Sequence, residues 1–325
     1  MPAILQRARP GRNVQGLKLG IVNNMPDAAL LSTARQFLNA IEAATPELRV
    51  YVSLHAIPGM PRAEAGRKHL SENAYQDFAA LTSADLDAVI VTGTEPKAAD
   101  LKDEPFWPSL ATLFDWIDRD GPSAAFSCLA GHAAVLHYDG IVRERLDKKC
   151  FGLFEHAANG HDALTLALPA SFKVAHSRWN RVPADALGEK GYRILTESAE
   201  AGVELFAKQR RNLLVFFQGH PEYDTQTLGR EYLRDVRRYL SGERESYPEV
   251  PRGYFNATEK ELLDRFRARA LKDRDEALMA QFPVLANRFP MQAKNSVASA
   301  VLGAWLGGIA AAKRAEQAPG AGYGT

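Results

Sequence analysis

A cysteine at the end of a predicted strand is the first residue of this sequence whose type and position could carry chemistry. Cys128 follows Ser123-Ala-Ala-Phe-Ser127, a short apolar run typical of a buried strand, and an Ala- and Leu-rich stretch typical of a helix begins at Leu129. A tight strand-to-helix turn lifts a nucleophile clear of the sheet and places unpaired N–H groups beside it. The positive end of the helix also favours the thiolate. The alternative is a small buried apolar residue, which is what most unpaired cysteines are.

A histidine and a carboxylate two residues apart could complete this site. Gln218-Gly-His-Pro-Glu222 follows the apolar run Leu213-Leu-Val-Phe-Phe217. If the backbone stays extended, the side chains of His220 and Glu222 point to one side. Glu222 would then hold the tautomer of His220, and His220 would take the proton of Cys128. A capped turn at a helix start is the alternative for His-Pro-Glu. Because both halves follow predicted strands, we favour a Cys128–His220–Glu222 triad.

The elements that must position this triad alternate along the first part of the chain. The apolar patterns predict strands and helices in the order strand 17–23, helix 28–44, strand 50–55, strand 86–92, helix 106–119 and strand 123–127. Asp27 is predicted to cap the first helix. This alternation predicts an α/β fold with a flavodoxin-like, doubly wound, mostly parallel sheet.

Beyond Tyr138 the pattern changes to short apolar segments without helices between them. These segments are Val174-Ala-His176, Tyr192-Arg-Ile-Leu195, Val203-Glu-Leu-Phe-Ala207 and Leu213–Phe217. They predict an antiparallel extension of the sheet, followed by a helix over 225–240. Ligands of open α/β sheets bind at the carboxyl edge of the strands, so we expect Cys128 and His220 in one crevice.

The C-terminal part is predicted to be helical. A polar, Pro-containing segment at 243–257 is typical of a linker, and Thr258-Glu-Lys-Glu261 is a capping box that would begin a helix. The apolar run 296–312 is rich in Ala and Gly and falls short of the roughly 20 residues of a membrane span. We therefore predict a helix packed on the core or across a homodimer interface. The predicted divisions are an extension (1–16), a catalytic domain (17–257), a helical region (258–316) and a disordered tail (317–325).

Composition and spacing argue against several classes of function. The formal net charge is +1 and no long basic run is present, which disfavours nucleic acid and membrane surfaces as partners. Two cysteines, Cys128 and Cys150, make no disulfide framework, and the N-terminus has no apolar signal region, so we expect a cytoplasmic protein. Neither His132 and His137 in one predicted helix, nor the histidines at 156 and 161 in a predicted loop, have zinc-site spacing, and no glycine-rich phosphate loop occurs. We predict no bound metal and no permanently bound cofactor.

Short motifs along the chain carry a resemblance to a known family. They are Leu19-Gly-Ile-Val-Asn-Asn-Met-Pro26, Gln36-Phe-Leu38, Val91-Thr-Gly93, Phe126-Ser-Cys128, Phe151-Gly-Leu-Phe-Glu-His156, His176-Ser-Arg178, Gly219-His-Pro-Glu-Tyr-Asp224 and Arg234-Asp235. In their order and spacing, over about 17–257, the sequence resembles the homoserine O-succinyltransferase/O-acetyltransferase family. The resemblance implies a fold like that of class I glutamine amidotransferases.

The resemblance also implies an activity, which is ping-pong acyl transfer in methionine biosynthesis. Cys128 would attack the thioester of an acyl-coenzyme A co-substrate, and His220, held by Glu222, would then deprotonate the hydroxyl of L-homoserine or a related amino acid such as serine. By the same analogy Arg234 pairs with the amino acid carboxylate and Arg178 lies in the substrate pocket. A guanidinium suits a carboxylate, since the two form paired hydrogen bonds.

Two departures from the family pattern bear on the acyl group. The family usually has a lysine pair directly after Met-Pro, the second of which stabilises the oxyanion, whereas this chain has Asp27-Ala28. We therefore assign the oxyanion hole to the N–H groups of Leu129 and of the Gly93-Thr94 turn. Lys97 occupies the family position that helps choose between acyl groups, and its charge favours a succinyl carboxylate over acetyl.

Two other functions fit the same sequence pattern. A glutamine amidotransferase-like hydrolase would release ammonia from glutamine, but its cysteine usually has glycine two residues to either side, where this chain has Phe126 and Ala130. A non-enzymatic binding module on the same fold would leave Cys128 no more reactive toward iodoacetamide than Cys150. An acyltransferase would instead release the thiol of coenzyme A.

Overall fold

Helices and strands are described by a computed structural model over residues 4–5, 16–119, 121–285 and 297–317. The strands are β1 (Ile4–Leu5), β2 (Leu17–Val22), β3 (Val50–His55), β4 (Ala88–Val91), β5 (Ser123–Ser127), β6 (Glu144–Ala158), β7 (Phe172–Arg181), β8 (Arg193–Ser198), β9 (Gly202–Gln209) and β10 (Leu213–Phe217). The helices are α1 (Leu30–Ala44), α2 (Glu64–Glu72), α3 (Phe78–Ser83), α4 (Trp107–Arg119), α5 (Leu129–Asp139), α6 (Ala184–Glu189), α7 (Thr227–Leu240), α8 (Ala257–Lys272) and α9 (Val297–Gln317).

The strands form one sheet in the order β1-β3-β2-β4-β5-β10-β9-β8-β6-β7. Every pair from β1 to β10 is parallel, and every pair from β10 to β7 is antiparallel. The structure thus confirms the predicted α/β class, with a mostly parallel sheet and an antiparallel extension. β10 joins the two parts, because it pairs with β5 on one side and with β9 on the other.

Alternating side chains of the central strands supply two separate cores. Val89, Phe126 and Phe216 point to the face covered by α4, α5 and α6, whereas Ile90 and Val215 point to the face covered by α1 and α9. Strands buried on both faces read as continuous apolar runs, and this is why their positions could be predicted from the sequence.

Helix α9 packs on the body of the protein. It lies against α1, where a Cβ on Gly303 would come within 3.0 Å of the Ala44 carbonyl oxygen, and it buries Trp305 and Leu306 against the sheet. This confirms the predicted helix and its packing on the core. Among the described helices, none combines the length and the apolar character needed to cross a bilayer.

The predicted capping role of Asp27 is wrong. Its carboxylate accepts hydrogen bonds from the Arg62 guanidinium (3.1 Å) and the Ala63 N–H (2.8 Å), and it makes no capping bond to the helical turn that follows it. Asp27 therefore ties the end of β2 to the start of α2, a helix that the sequence reasoning missed.

The segment 243–257 is not a solvated linker. It buries three aromatic side chains in a cluster shared with α7 and α8, namely Tyr247, Tyr254 and Phe255. The capping box of α8 is formed by Asn256 and Glu259, so the helix begins before Thr258. Since α8 packs with α7 and α9 packs with α1, the two helices of the predicted region 258–316 contact different parts of the protein.

Strand β6 was also missed. Many of its residues are charged and exposed at its start, and it pairs with β7 through an irregular register, so its sequence shows no clean alternation. His156 lies near its end, buried, and not in the predicted loop. The predicted disordered tail falls outside the described residues except for Gln317, which ends α9.

If α9 is part of the core, Leu306→Ala will lower the free energy of unfolding by about 2–5 kcal/mol, because a fully buried leucine leaves a cavity when truncated. Leu271→Ala is the control, since that leucine is 54% exposed on α8 and its loss should cost less than about 0.5 kcal/mol. Urea unfolding followed by circular dichroism measures both values. Equal stabilities for the two variants would contradict the packing of α9.

Candidate active site

Cys128 lies at the strand-to-helix turn between β5 and α5, in a strained backbone conformation. Its φ is +50° and its ψ is −115°, which a residue with a Cβ rarely adopts and which typically costs about 1–3 kcal/mol. Three hydrogen bonds hold it there. Its N–H donates to the Phe217 carbonyl (2.7 Å), and its carbonyl accepts from the N–H groups of Gly131 (3.0 Å) and His132 (3.2 Å). The sharp turn predicted from the sequence is confirmed.

His220 and Glu222 lie directly beyond the end of β10. His220 Nδ1 is 2.9 Å from a carboxylate oxygen of Glu222, and the side chain of His220 is hydrogen-bonded to Cys128. His220 and Glu222 are both more than nine-tenths buried. The structure therefore brings together the cysteine, histidine and glutamate that the sequence analysis placed on separate strands. Since β5 and β10 are parallel neighbours, the residues that follow them meet at one edge of the sheet.

The charges of this group favour a protonated histidine. Burial alone lowers the pKa of His220, but the neighbouring Cys128 and Glu222 charges and hydrogen bonds outweigh it and raise the pKa well above its ordinary value. Tyr223 stacks on the imidazole at a ring distance of 4.2 Å and fixes its plane. This arrangement can perform nucleophilic attack and shuttle the displaced proton.

A turn that follows β4 lies close to the strand-to-helix turn at Cys128. An added Cβ on Gly93 would be 3.0 Å from the Leu129 nitrogen and 3.2 Å from the Ser127 carbonyl oxygen. The first N–H groups of α5 and the Gly93-Thr94 turn are therefore side by side. The two backbone groups predicted for an oxyanion hole therefore lie in neighbouring segments, and their joint role stays a prediction.

A cavity of about 730 Å³ opens beside this turn. Thr94, Lys97 and Arg62 contribute to its walls, and so do residues that follow α7, such as Arg244. The exposed Lys97 donates its backbone N–H to Glu104. Across the cavity rim, Arg238 of α7 forms an ion pair with Glu95 (3.2 Å). The cavity thus carries both cations and carboxylates beside the Gly93-Thr94 turn, whereas Cys128, His220 and Glu222 are not part of its walls.

A family model described as homoserine O-succinyltransferase matches residues 3–273. The chain belongs to the homoserine O-succinyltransferase family. A relative of that name from Rhodopseudomonas palustris is 49% identical over 272 residues, covering 84% of this chain and 81% of the relative. Another from Bradyrhizobium japonicum is 43% identical over 303 residues, covering 93% of each. A crystal structure of a Thermotoga maritima glutamine amidotransferase aligns over 92% of this chain and 99% of its own, with TM-score 0.49 and 11% identity.

Within this homoserine O-succinyltransferase family member, Arg178 lies behind the triad and not in the cavity wall. It is 4% exposed, and all of its guanidinium nitrogens donate to protein atoms. Nε donates to His176 Nδ1 (3.2 Å), Nη1 to the Asn180 carbonyl (2.9 Å) and Nη2 to the Ala201 carbonyl. Three of its five N–H donors are thus used within the protein.

Arg234 lies on α7 in a cluster of charges. Its guanidinium contacts the Asp235 carboxylate at 2.9 Å, and its side chain is 42% exposed. One turn earlier on the helix, Glu231 accepts a hydrogen bond from Tyr223 (2.5 Å) and lies 3.9 Å from Lys149. Because Tyr223 stacks on His220, Glu231 belongs to the same site. The sequence analysis missed it, although an acidic residue three positions before Arg234 places both on one helix face.

Arg143 is a second residue that the sequence analysis missed. It follows α5, and its Nη1 is buried without a hydrogen-bond partner, while Nη2 donates to Ala99 (3.3 Å) in the loop that also carries Lys97. Burial lowers its pKa, and the nearby Cys128 charge opposes that shift. A guanidinium with unused donors therefore lies near the nucleophile.

The rate at which Cys128 is alkylated will test its pairing with His220. At pH 7 iodoacetamide should modify Cys128 at least ~10-fold faster than Cys150, because the His220 imidazolium lies beside Cys128 while burial raises the pKa of the Cys150 thiol. The advantage is present where His220 is protonated and shrinks as the pH rises through the raised pKa of His220. Peptide mass spectrometry gives both rates. His220→Gln should remove most of the difference, and an unchanged ratio in that variant would contradict the pairing.

Proposed function

We propose that this protein transfers a succinyl group from succinyl-coenzyme A to the hydroxyl of L-homoserine, in methionine biosynthesis, through an acyl-enzyme on Cys128. The observation that carries the proposal is the hydrogen-bonded Cys128–His220–Glu222 group at the strained turn of β5 and α5. The relatives' names support the substrates, since those relatives are homoserine O-succinyltransferases. Coenzyme A serves as the carrier of a co-substrate and not as a bound cofactor.

In the first half-reaction, the Cys128 thiolate attacks the thioester carbonyl. The N–H groups of Leu129 and Thr94 stabilise the negative charge that develops on the carbonyl oxygen. Gly93 lies so close to the Leu129 nitrogen that a side chain at this position would crowd it. As the tetrahedral intermediate collapses, the bond to coenzyme A breaks and His220 gives its proton to the leaving thiolate. The products are free coenzyme A and succinyl-Cys128.

In the second half-reaction, His220 is neutral and acts as general base. It takes the proton of the homoserine hydroxyl, the alkoxide oxygen attacks succinyl-Cys128, and the thiolate leaves as the ester forms. The Glu222 carboxylate at 2.9 Å orients the imidazole and stabilises the imidazolium in both halves. The same atoms thus serve twice, with the proton moving in opposite directions.

Charges on α7 suit the amino acid substrate. We assign Arg234 to its carboxylate and Glu231 to its ammonium group, since the two side chains lie three residues apart on one helix and Glu231 contacts the ring that stacks on His220. Arg178 supports this region from behind, because it is buried and three of its five N–H donors bind protein atoms. For the succinyl carboxylate we keep Lys97 as the partner, with Arg143 as the alternative cation.

Intact-mass measurement after mixing the protein with succinyl-coenzyme A alone will test the acyl-enzyme. We expect a gain of one succinyl group, because no acceptor is present to complete the reaction, and loss of that group on addition of homoserine. Cys128→Ser should show no thioester, Cys150→Ser should behave as the wild type, and His220→Gln should slow acylation by ~10²–10⁴-fold. A gain in the Cys128→Ser variant equal to that of the wild type, or ammonia release from glutamine, would contradict the proposal.

Donor selectivity will test Lys97. Lys97→Met should lower the ratio of kcat/KM for succinyl-coenzyme A over acetyl-coenzyme A by ~10-fold or more, since a charged hydrogen bond typically contributes about 1.5–3 kcal/mol. Acetyl transfer, which offers no carboxylate, should change little. Arg143→Met is the matched variant. A fall of the ratio in that variant alone would transfer the role to Arg143, and a fall in neither would remove both cations from donor recognition.

A further inference from the structure

A buried polar cluster lies behind the loop that carries His220. It consists of His156 on β6, His176 and Arg178 on β7 and Glu204 on β9, and we call these four residues the rear cluster. None is more than 4% exposed. The proposed acyl transfer uses none of them directly. Burying two imidazoles, a guanidinium and a carboxyl is costly unless their hydrogen bonds are satisfied, so the bonds indicate what the cluster does.

Hydrogen-bond directions in the rear cluster follow from Arg178. A guanidinium only donates, so the bond from Arg178 Nε to His176 Nδ1 (3.2 Å) leaves the proton of that imidazole on Nε2. His176 Nε2 faces His156 Nε2 (3.2 Å) and one Glu204 oxygen (3.4 Å). His156 Nδ1 lies 2.9 Å from the Phe154 carbonyl, so it carries the proton and Nε2 accepts. Each of these donors therefore faces an acceptor, from Arg178 to His176 and from His176 to His156.

These hydrogen-bond directions decide whether the rear cluster suits a metal ion. His156, His176 and Glu204 offer ligand atoms that lie within 4.8 Å of one another. A metal there would need the lone pair of His176 Nε2, but Arg178 fixes the proton on that atom. The Glu204 oxygen nearest His176 also already accepts a bond from the protein backbone. The rear cluster fits a hydrogen-bonded support better than a metal centre.

That backbone bond connects the rear cluster to the catalytic loop. Glu204 Oε2 accepts from the Gly219 N–H at 2.6 Å. On either side, the Gln218 N–H donates to the Glu204 carbonyl (2.8 Å) and the His220 N–H donates to the Ala175 carbonyl (2.7 Å). Of these three successive anchors, the one at Gly219 is supplied by a side chain. An added Cβ on Gly219 would lie 2.7 Å from both Glu204 Oε2 and the Ala175 oxygen, so the contact is close on both sides.

We propose that Glu204 is a positioning residue for His220, acting through its hydrogen bond to the Gly219 N–H. The inference rests on the proposed function, because it assigns His220 the role of general acid and base. Without that acceptor the loop would keep two of three anchors, and the imidazole would lose its fixed distance to Cys128. Small misplacements of a catalytic group cost large factors in rate.

The protonation of Glu204 indicates which property of the side chain matters. Burial raises the pKa of Glu204 to about 8, against the opposing effects of the Gly219 bond, Arg178 and His220. At neutral pH the carboxyl is therefore mostly uncharged, and it serves as an acceptor more than as an anion. Its other oxygen, Oε1, has no partner. A glutamine offers the same acceptor in the same volume, so it should replace Glu204 in this role.

The test compares three variants with the wild type. Glu204→Gln keeps the acceptor and Glu204→Leu removes it. Thr196→Val is the matched control, since Thr196 on β8 is fully buried and its hydroxyl accepts from the Leu205 N–H on β9, not from the catalytic loop. The measurements are kcat and KM for succinyl transfer to homoserine, the iodoacetamide rate of Cys128, and the melting temperature of each variant.

We expect Glu204→Leu to lower kcat ~10–100-fold with KM values within about twofold, and to slow alkylation of Cys128. Glu204→Gln should keep kcat within about threefold. Thr196→Val should lose melting temperature but keep kcat. Wild-type kcat in Glu204→Leu, a glutamine variant as slow as the leucine variant, or an equal kcat loss in Thr196→Val would each overturn the proposal. If Glu204→Leu does not fold, Glu204→Met replaces it. In either case Glu204→Gln must keep kcat within about threefold.

Two further readouts separate this proposal from its alternatives. Stoichiometric zinc in the purified wild type, measured by elemental analysis, would overturn the hydrogen-bond assignment and with it the role of Glu204. If the wild type does not transfer succinyl groups, the proposed function fails. Alkylation of Cys128 then still tests Glu204, because that reaction needs His220 but no substrate.

Discussion

The hydrogen bond from the Cys128 N–H to the Phe217 carbonyl (2.7 Å) is the constraint on which the site depends. It joins the first residue after β5 to Phe217, the last residue of β10, and so continues the parallel pairing of the two strands. At that point one chain must turn into α5 and the other must continue toward His220. The positive φ of Cys128 is the cost of the turn, and the apolar cores on both faces of the sheet supply the stability that sustains it.

Much of the fold and the triad could be predicted because both depend on local patterns. Buried parallel strands are short apolar runs, and the two motifs around Cys128 and His220 each follow one. The pairing of β5 with β10 then brings the motifs together without further information. The helix starts at Asp27 and Thr258 were wrong for different reasons. Arg62 and the Ala63 N–H bind the Asp27 carboxylate, whereas Asn256, two residues before Thr258, caps α8.

The parts that were not predicted depend on contacts between distant segments. β6 has a charged, irregular first half, and its pairing with β7 decides its structure. Glu204 is the one acidic residue in the otherwise apolar segment Val203-Glu-Leu-Phe-Ala207. An acidic residue in such a strand indicates a specific role, but the apolar pattern does not show which one. The guanidinium of Arg178, which the family resemblance places in the substrate pocket, donates to three protein acceptors that no sequence pattern identifies, and its role toward the substrate stays a prediction.

The opposite direction of β9 has a consequence for how such sites diverge. Because β9 runs antiparallel to β10, its first residues lie beside the last residues of β10, and a side chain such as Glu204 reaches the loop from the beginning of a strand. The two motifs around Cys128 and His220 each follow a parallel strand, so a substitution at the start of β9 leaves both of them unchanged. Such a substitution alters the support of the His220 loop without altering either motif.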